Sequence, residues 1–273
     1  MEVNKLLFNG ELQEATAFQL PLPNRGLVFG DGFFETLIFM AGRLRHAGGH
    51  LARMQQAAAA LYLTLPAALA TAEALEATLA QLVAAQGRPA ARLRLQLWRA
   101  GGGLYTPTTD AAEWLATAAP FTPDESPLQQ VAFAQENHSV YSPLSFCKGP
   151  QAWLYVRAAH ERQQRGLDEV ILCDAAGHVA EAGAAAIFWV KDDVLFTPAL
   201  ASGCVAGVRR AAILHAARAA GLPAWEGLFR PADLLAADAA FTANVAAVRL
   251  VRQVGSHRLG DLAAPWPALL RGL

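Results

Sequence analysis

The chain is poor in charge and in cysteine. Only 16% of its 273 residues are Asp, Glu, Lys or Arg, and 22 basic against 23 acidic residues leave a formal net charge of −1 with a pI near 6.7. No excess of positive charge exists to neutralise a phosphate backbone, which argues against a nucleic-acid partner. The three cysteines, Cys147, Cys173 and Cys204, are odd in number and far apart, so they suit a reduced compartment rather than a disulfide framework. Long apolar runs are also missing. The start, Met1 to Lys5, has no signal-peptide core, and the most membrane-like stretch, Ala57 to Ala72, is too short to span and carries Pro66. We therefore expect no membrane contact and a cytoplasmic location. There is no Gly-rich dinucleotide fingerprint, no P-loop, no repeat and no heptad. His46 and His50 are interrupted by Gly48 and Gly49, and no other Cys or His spacing suggests a metal.

What the chain does have is apolar material. Hydrophobic residues make up 54%, enough for one large core or two modest ones. Asn9-Gly10 between Leu6 and Leu12 predicts a tight hairpin, and Ala41-Gly42 between Phe33–Met40 and Arg43–His46 predicts a second. Helices are expected over His50–Leu63 and Ala72–Ala85. Arg92-Leu93-Arg94-Leu95-Gln96-Leu97 alternates with period two, so its leucines share one face of a strand. Pro120, Pro123 and Pro127 mark a linker. Beyond it come a helix over Gln151–Arg165, a strand at Glu169–Cys173, a turn through Gly177 into Val179–Glu181, and a strand over Ala185–Val190. A helix opening at Gly207 and an irregular strand region from Phe241 to Val254 follow. The expectation is an α+β fold of two mixed domains, residues 1–118 and 128–273, joined by a linker at 119–127.

Four places could carry chemistry. Lys148, in Ser145-Phe146-Cys147-Lys148-Gly149-Pro150 ahead of a helix, becomes a nucleophile if it is partly desolvated. Glu181 ends an apolar strand, where a carboxylate could sit beside a buried cationic nitrogen. Gly207-Val208-Arg209-Arg210 starts a helix whose free N–H groups suit a phosphate dianion. His50 and Arg53, three apart, share a helix face, and Arg53 could grip a phosphate with its planar fork. Taken alone, each also reads as ordinary structure: a solvated loop lysine, a strand-end glutamate facing water, a turn glycine, an exposed helical arginine.

Their order along the chain resembles the class IV aminotransferase family, the fold-type IV enzymes that depend on pyridoxal 5′-phosphate (PLP). Asn24 to Leu37 is similar to the family's N-terminal signature, whose aromatic residues line the substrate pocket. His50-Leu51-Ala52-Arg53-Met54 resembles its H-L-x-R-L element, and Val179-Ala180-Glu181 through Ile187-Phe188 its T-E-x-x-x-x-N-[IL]-F element. Thr197-Pro198, Gly203 and Gly207-Val208-Arg209-Arg210 resemble the T-P…G-I-T-R segment. The resemblance implies a D-amino acid aminotransferase-like fold and a homodimer acting on a small amino-acid-like or aminodeoxychorismate-like substrate. It also implies Lys148 as the Schiff-base lysine, Glu181 as partner of the pyridine nitrogen, and Arg53, Gly207, Val208 and Arg209 at the phosphate, with Thr242 or Asn244 added from the last strand. Phe29, Phe34, Tyr105 and Trp153 are the candidate substrate-pocket residues.

Three departures stand out. Ala186 replaces the usual Asn, Arg209 replaces the usual Thr, and the Ser/Thr pair after the last strand is not clearly reproduced at Phe241-Thr242-Ala243-Asn244. Gly101-Gly102-Gly103-Leu104-Tyr105, Arg209 and Asn244 look more like aminodeoxychorismate lyase, whose loop arginine is Leu104 here. Lyase chemistry is thus set before amino-acid transamination, with a catalytically idle PLP-binding protein as the third possibility.

Overall fold

A computed structural model describes residues 4–150, 152–271 and 273. The chain forms two compact units: Met1–Thr122 with Cys147–Gln151, and Pro123–Phe146 with Ala152–Leu273. The boundary between the units falls at Thr122/Pro123, strand pairing runs on to Pro120, and the Lys148 segment groups with the first unit.

The N-terminal unit is built on one six-stranded antiparallel sheet. Its strands are β1 (Lys5–Phe8), β2 (Glu11–Glu14), β3 (Gly32–Met40), β4 (Arg43–Leu44), β5 (Ala90–Arg99) and β6 (Ala112–Pro120), in the order β2-β1-β6-β5-β3-β4. Both predicted hairpins form. Asn9 and Gly10 take φ of 49° and 92°, and Ala41 and Gly42 take 53° and 81°, the left-handed pairs that a two-residue turn between twisted strands requires. On β5, Leu93, Leu95 and Leu97 are buried while Arg92 and Arg94 face outward, as the alternation predicts. The short helix α1 (Arg25–Phe29) precedes β3. Helix α2 (Ala47–Ala60) begins three residues before the expected start, with His46 in the left-handed region as its N-cap. Helix α3 (Ala72–Ala85) has the expected bounds; Thr71 caps it, and Leu75, Leu79 and Leu82 form its buried stripe.

The C-terminal unit has two five-stranded sheets. The first has the order β16-β15-β7-β8-β9, from β7 (Val131–Ser139), β8 (Glu169–Asp174), β9 (Val179–Ala182), β15 (Gln253–Val254) and β16 (His257–Arg258). The second has the order β12-β11-β10-β13-β14, from β10 (Ala186–Lys191), β11 (Val194–Pro198), β12 (Ala224–Gly227), β13 (Ala239–Ala243) and β14 (Val248–Val251). The apolar run on β10 is buried on both faces. Ile187 and Trp189 join a cluster with Val131, Ile171 and Val179 of the first sheet. Phe188 and Val190 turn the other way, onto Ile213 and Leu214 of helix α5 (Val208–Ala219) and onto Trp266 and Leu270 of the terminal helix Trp266–Arg271. Phe188 stacks on its cross-strand partner Phe241 at 5.0 Å. Helix α4 (Trp153–Gln164) lays Ala158 over Val170 and Leu172 of β8. Among the described residues, no helix is long and apolar enough to cross a membrane, and no group of His, Cys, Asp and Glu could hold a metal ion.

Candidate active site

In the N-terminal unit the candidate residues gather along β3. The Lys148 carbonyl accepts the Phe34 N–H at 2.8 Å, so the lysine segment lies hydrogen-bonded beside the strand, with Lys148 half-buried. This backbone bond is the physical reason the segment belongs to this unit. The next residue on β3, Glu35, points the other way and is almost fully buried. Its carboxylate accepts Arg53 Nε at 2.7 Å, Arg53 Nη2 at 2.5 Å and His50 Nδ1 at 2.8 Å. Burial by itself would raise the Glu35 pKa. Hydrogen bonds from His50 and Arg53, and the Arg53 charge, outweigh it and hold the carboxyl at about 2. With Nδ1 turned to the carboxylate, His50 Nε2 is buried without a hydrogen-bond partner. The fork of Arg53, expected at a phosphate, thus lays its Nε–Nη2 edge on Glu35. Neither Glu35 nor His50 was expected in this role. A carboxylate flanked by Phe33, Leu37 and Phe39 on one face of a strand was the available signal.

The signature segment around Asn24 is largely scaffold. Asn24 caps α1 through the Leu27 N–H, and buried Arg25 donates to Asp31 at 2.8 Å and to the carbonyls of Gly102, Gly103 and Leu104 at 2.6–3.2 Å. Asp31 also accepts Arg99 Nε at 3.0 Å. Gly103 sits at φ +92° with the Thr106 carbonyl 2.3 Å from where a Cβ would stand, so only glycine fits. The loop so fixed brings Tyr105 within 5.8 Å of Phe29, ring to ring, with Tyr105 itself 90% exposed. Phe34 lies under Arg94, whose guanidinium is 3.3 Å from the ring centroid. Burial and the neighbouring Arg92 charge lower the Arg94 pKa. Two arginines on the same face of β5 were legible in the alternation, yet neither was marked as a site residue.

In the C-terminal unit Glu181 is buried on β9, opposite Leu172. The β8–β9 register shifts between Leu172 and Cys173, and an irregularity of this kind re-aims the side chain beside it. Glu181 Oε1 accepts the Tyr155 hydroxyl of α4 at 2.7 Å, and Oε2 accepts the Val205 N–H at 3.3 Å. Val205 stands two residues before Gly207, the N-cap of α5, where no side chain caps the helix. A carboxylate is therefore tied directly to the turn that ends in an open helix N-terminus, a place for an anion. Gly203 in this turn has φ +84°, and a Cβ there would meet the backbone of Val140 and Tyr141 at 2.8 Å.

The other expected residues make contacts of their own. The Arg209 side chain is buried and donates to the Leu273 carbonyl at 2.8 Å, which leaves its backbone as the part at the helix start. Asn244 closes a turn: its Oδ1 accepts the N–H groups of Ala246 and Ala247, and its Nδ2 donates to the Ala184 carbonyl. Its carboxamide is thus engaged locally on both atoms. Thr242 is buried on β13 opposite Ile187. Trp153, in the first turn of α4, is 76% exposed.

Fold and site define an α+β enzyme of fold type IV. The chain belongs to the amino-transferase class IV family, whose sequence model matches residues 32–256. It is 27% identical to a D-alanine aminotransferase of Listeria innocua over 88% of this chain and 83% of the relative. It is 26% identical to an aminodeoxychorismate lyase of Vibrio harveyi over 82% and 83%. A branched-chain aminotransferase structure from Thermoproteus uzoniensis superposes with a TM-score of 0.88 at 22% identity, covering 99% of this chain and 93% of that one.

Proposed function

We propose that this enzyme holds PLP, the cofactor of its family, and acts on the amino group of a small carboxylate-bearing substrate, with release of pyruvate from aminodeoxychorismate as the leading reaction. The observation that carries the cofactor reading is the bond from Val205 N–H to Glu181. It joins an acceptor for a protonated ring nitrogen to an open helix N-terminus two residues on, matching the two polar ends of PLP.

When bound, the cofactor supplies an aldehyde that captures amines and a ring that draws electrons from the carbon beside the amino group. Lys148 is the covalent anchor, and its amine, once released, holds and moves a proton as general acid and base. Glu181 keeps a proton on the ring nitrogen. The backbone N–H groups of Val208 and Arg209, opened by Gly207, hold the phosphate with the α5 dipole behind them. Arg53, whose Nε–Nη2 edge is held by Glu35, is the further cation proposed for the phosphate. Arg94, exposed over the Phe34 ring, with Arg92 on the same strand face, suits a substrate carboxylate.

The likeness of Gly101-Gly102-Gly103-Leu104-Tyr105 to the loop of aminodeoxychorismate lyase supports lyase chemistry. Transamination is the second reading, supported by the D-alanine aminotransferase likeness over 88% of the chain. Pyruvate formed from aminodeoxychorismate with no keto acid present establishes the lyase; no pyruvate, with conversion of the cofactor by an amino-acid donor, establishes the transaminase. We further propose a homodimer, to be checked by light scattering.

A further inference from the structure

We propose that Tyr155 is a positioning residue that holds Glu181 as an oriented anion and so sets the basicity of the carboxylate that faces the ring nitrogen. The proposal rests on the cofactor reading above and deepens it.

Helix α4 lies on β8 through Ala158, which packs over Val170 and Leu172, and Tyr155 sits three residues earlier on the same face. Its ring packs against that cluster, while its hydroxyl passes β8 to reach Oε1 of Glu181 on the next strand, at 2.7 Å. That distance lies within the range for a hydroxyl donating to a carboxylate, a class of bond stronger than neutral pairs. The register irregularity between β8 and β9 falls beside Glu181, with Ala180 the extra residue on β9. Among the titratable groups that feel the carboxylate are Tyr155 from α4 and Cys204 from the turn before α5, with Arg210 acting on Cys204 in turn.

Both neighbours stay neutral. Burial, the Glu181 charge and the hydrogen bond itself push the Tyr155 phenol well above the usual tyrosine range. Burial and Glu181 likewise push the Cys204 thiol up. The phenol is thus a fixed donor. Hydrogen bonds to the charged form stabilise it, so removal of the hydroxyl makes Glu181 a stronger base and frees it to rotate. The ring of Tyr155 is separable from this role, because its packing against α4 and β8 survives in Tyr155→Phe.

The test follows the Glu181 carboxyl by ¹³C NMR in cofactor-free protein labelled at the glutamate side-chain carboxyl, with Glu181→Gln assigning the signal. In Tyr155→Phe the titration midpoint moves to higher pH with little change in melting temperature, and the PLP dissociation constant rises by about tenfold, the worth of one such bond. A 3-fluorotyrosine at 155, a stronger acid, moves the midpoint the opposite way and covers the case in which Tyr155→Phe does not fold. An unmoved midpoint overturns the role of Tyr155 whether or not PLP binds. Wild-type protein that takes up no PLP overturns the cofactor reading, whichever way the midpoint moves.

Discussion

Two buried glutamates, one in each unit, sit on strands among apolar neighbours and are held in opposite ways. Glu35 is gripped by the fork of Arg53 and by His50, and the Arg53 charge balances its own. Glu181 accepts, among its contacts, a phenol and a backbone N–H, donors that carry no charge of their own. An ion pair built into the fold keeps a shape. Neutral donors keep a charge in place, which is what a site for a cationic ring nitrogen needs. The N-terminal pair is therefore read as support for its surroundings, and the C-terminal carboxylate as a working group.

Substitutions at the two positions should separate these roles. Glu35→Gln leaves Arg53 buried beside a neutral amide and should cost about 3–5 kcal/mol of unfolding free energy in a urea titration. It should also flatten an acid transition. Because the folded-state pKa of Glu35 is lowered to about 2, its contribution is complete above the ordinary carboxylate range and is lost as pH falls from there toward 2. Wild-type stability should decline across that window more steeply than that of Glu35→Gln. Glu181→Gln should lose only about 1 kcal/mol of stability, as for an ordinary buried hydrogen bond, while cofactor affinity falls by about 10- to 100-fold. Equal destabilisation by the two variants would break the distinction. The smallest effect is expected at Asn244→Ala, which opens a local turn at about 1 kcal/mol and leaves PLP affinity within about twofold of wild type. A large loss of affinity there would return Asn244 to the phosphate site.

The sequence made elements and faces legible more readily than partners. The leucines of β5, the two hairpins and the bounds of α3 follow from alternation, turn residues and a Thr cap, all local signals. Helix α2 starts earlier than expected because Ala47, Gly48 and Gly49 are poor evidence for a helix, and His46 in the left-handed region is not foreseeable from composition. The resemblance marked Lys148, Glu181 and Gly207. It did not show that Lys148 is hydrogen-bonded along β3, because that bond joins residues more than a hundred positions apart. The ring of Tyr155 packs on apolar neighbours; the destination of its hydroxyl depends on how far α4 sits from β9. Arg25 and Asp31, in a segment read for its aromatics, prove to fix the Gly102–Leu104 loop. Periodicity reports which side of an element is buried, and only tertiary placement decides which polar group meets which.

The central claim is that Lys148 carries the cofactor, and the visible absorption spectrum of PLP-loaded protein beside Lys148→Ala tests it most directly. The account predicts a visible band of lysine-bound PLP in the wild type that is missing from the variant, with both proteins folded by circular dichroism. A band of equal strength in Lys148→Ala, or no band in either protein, would contradict it.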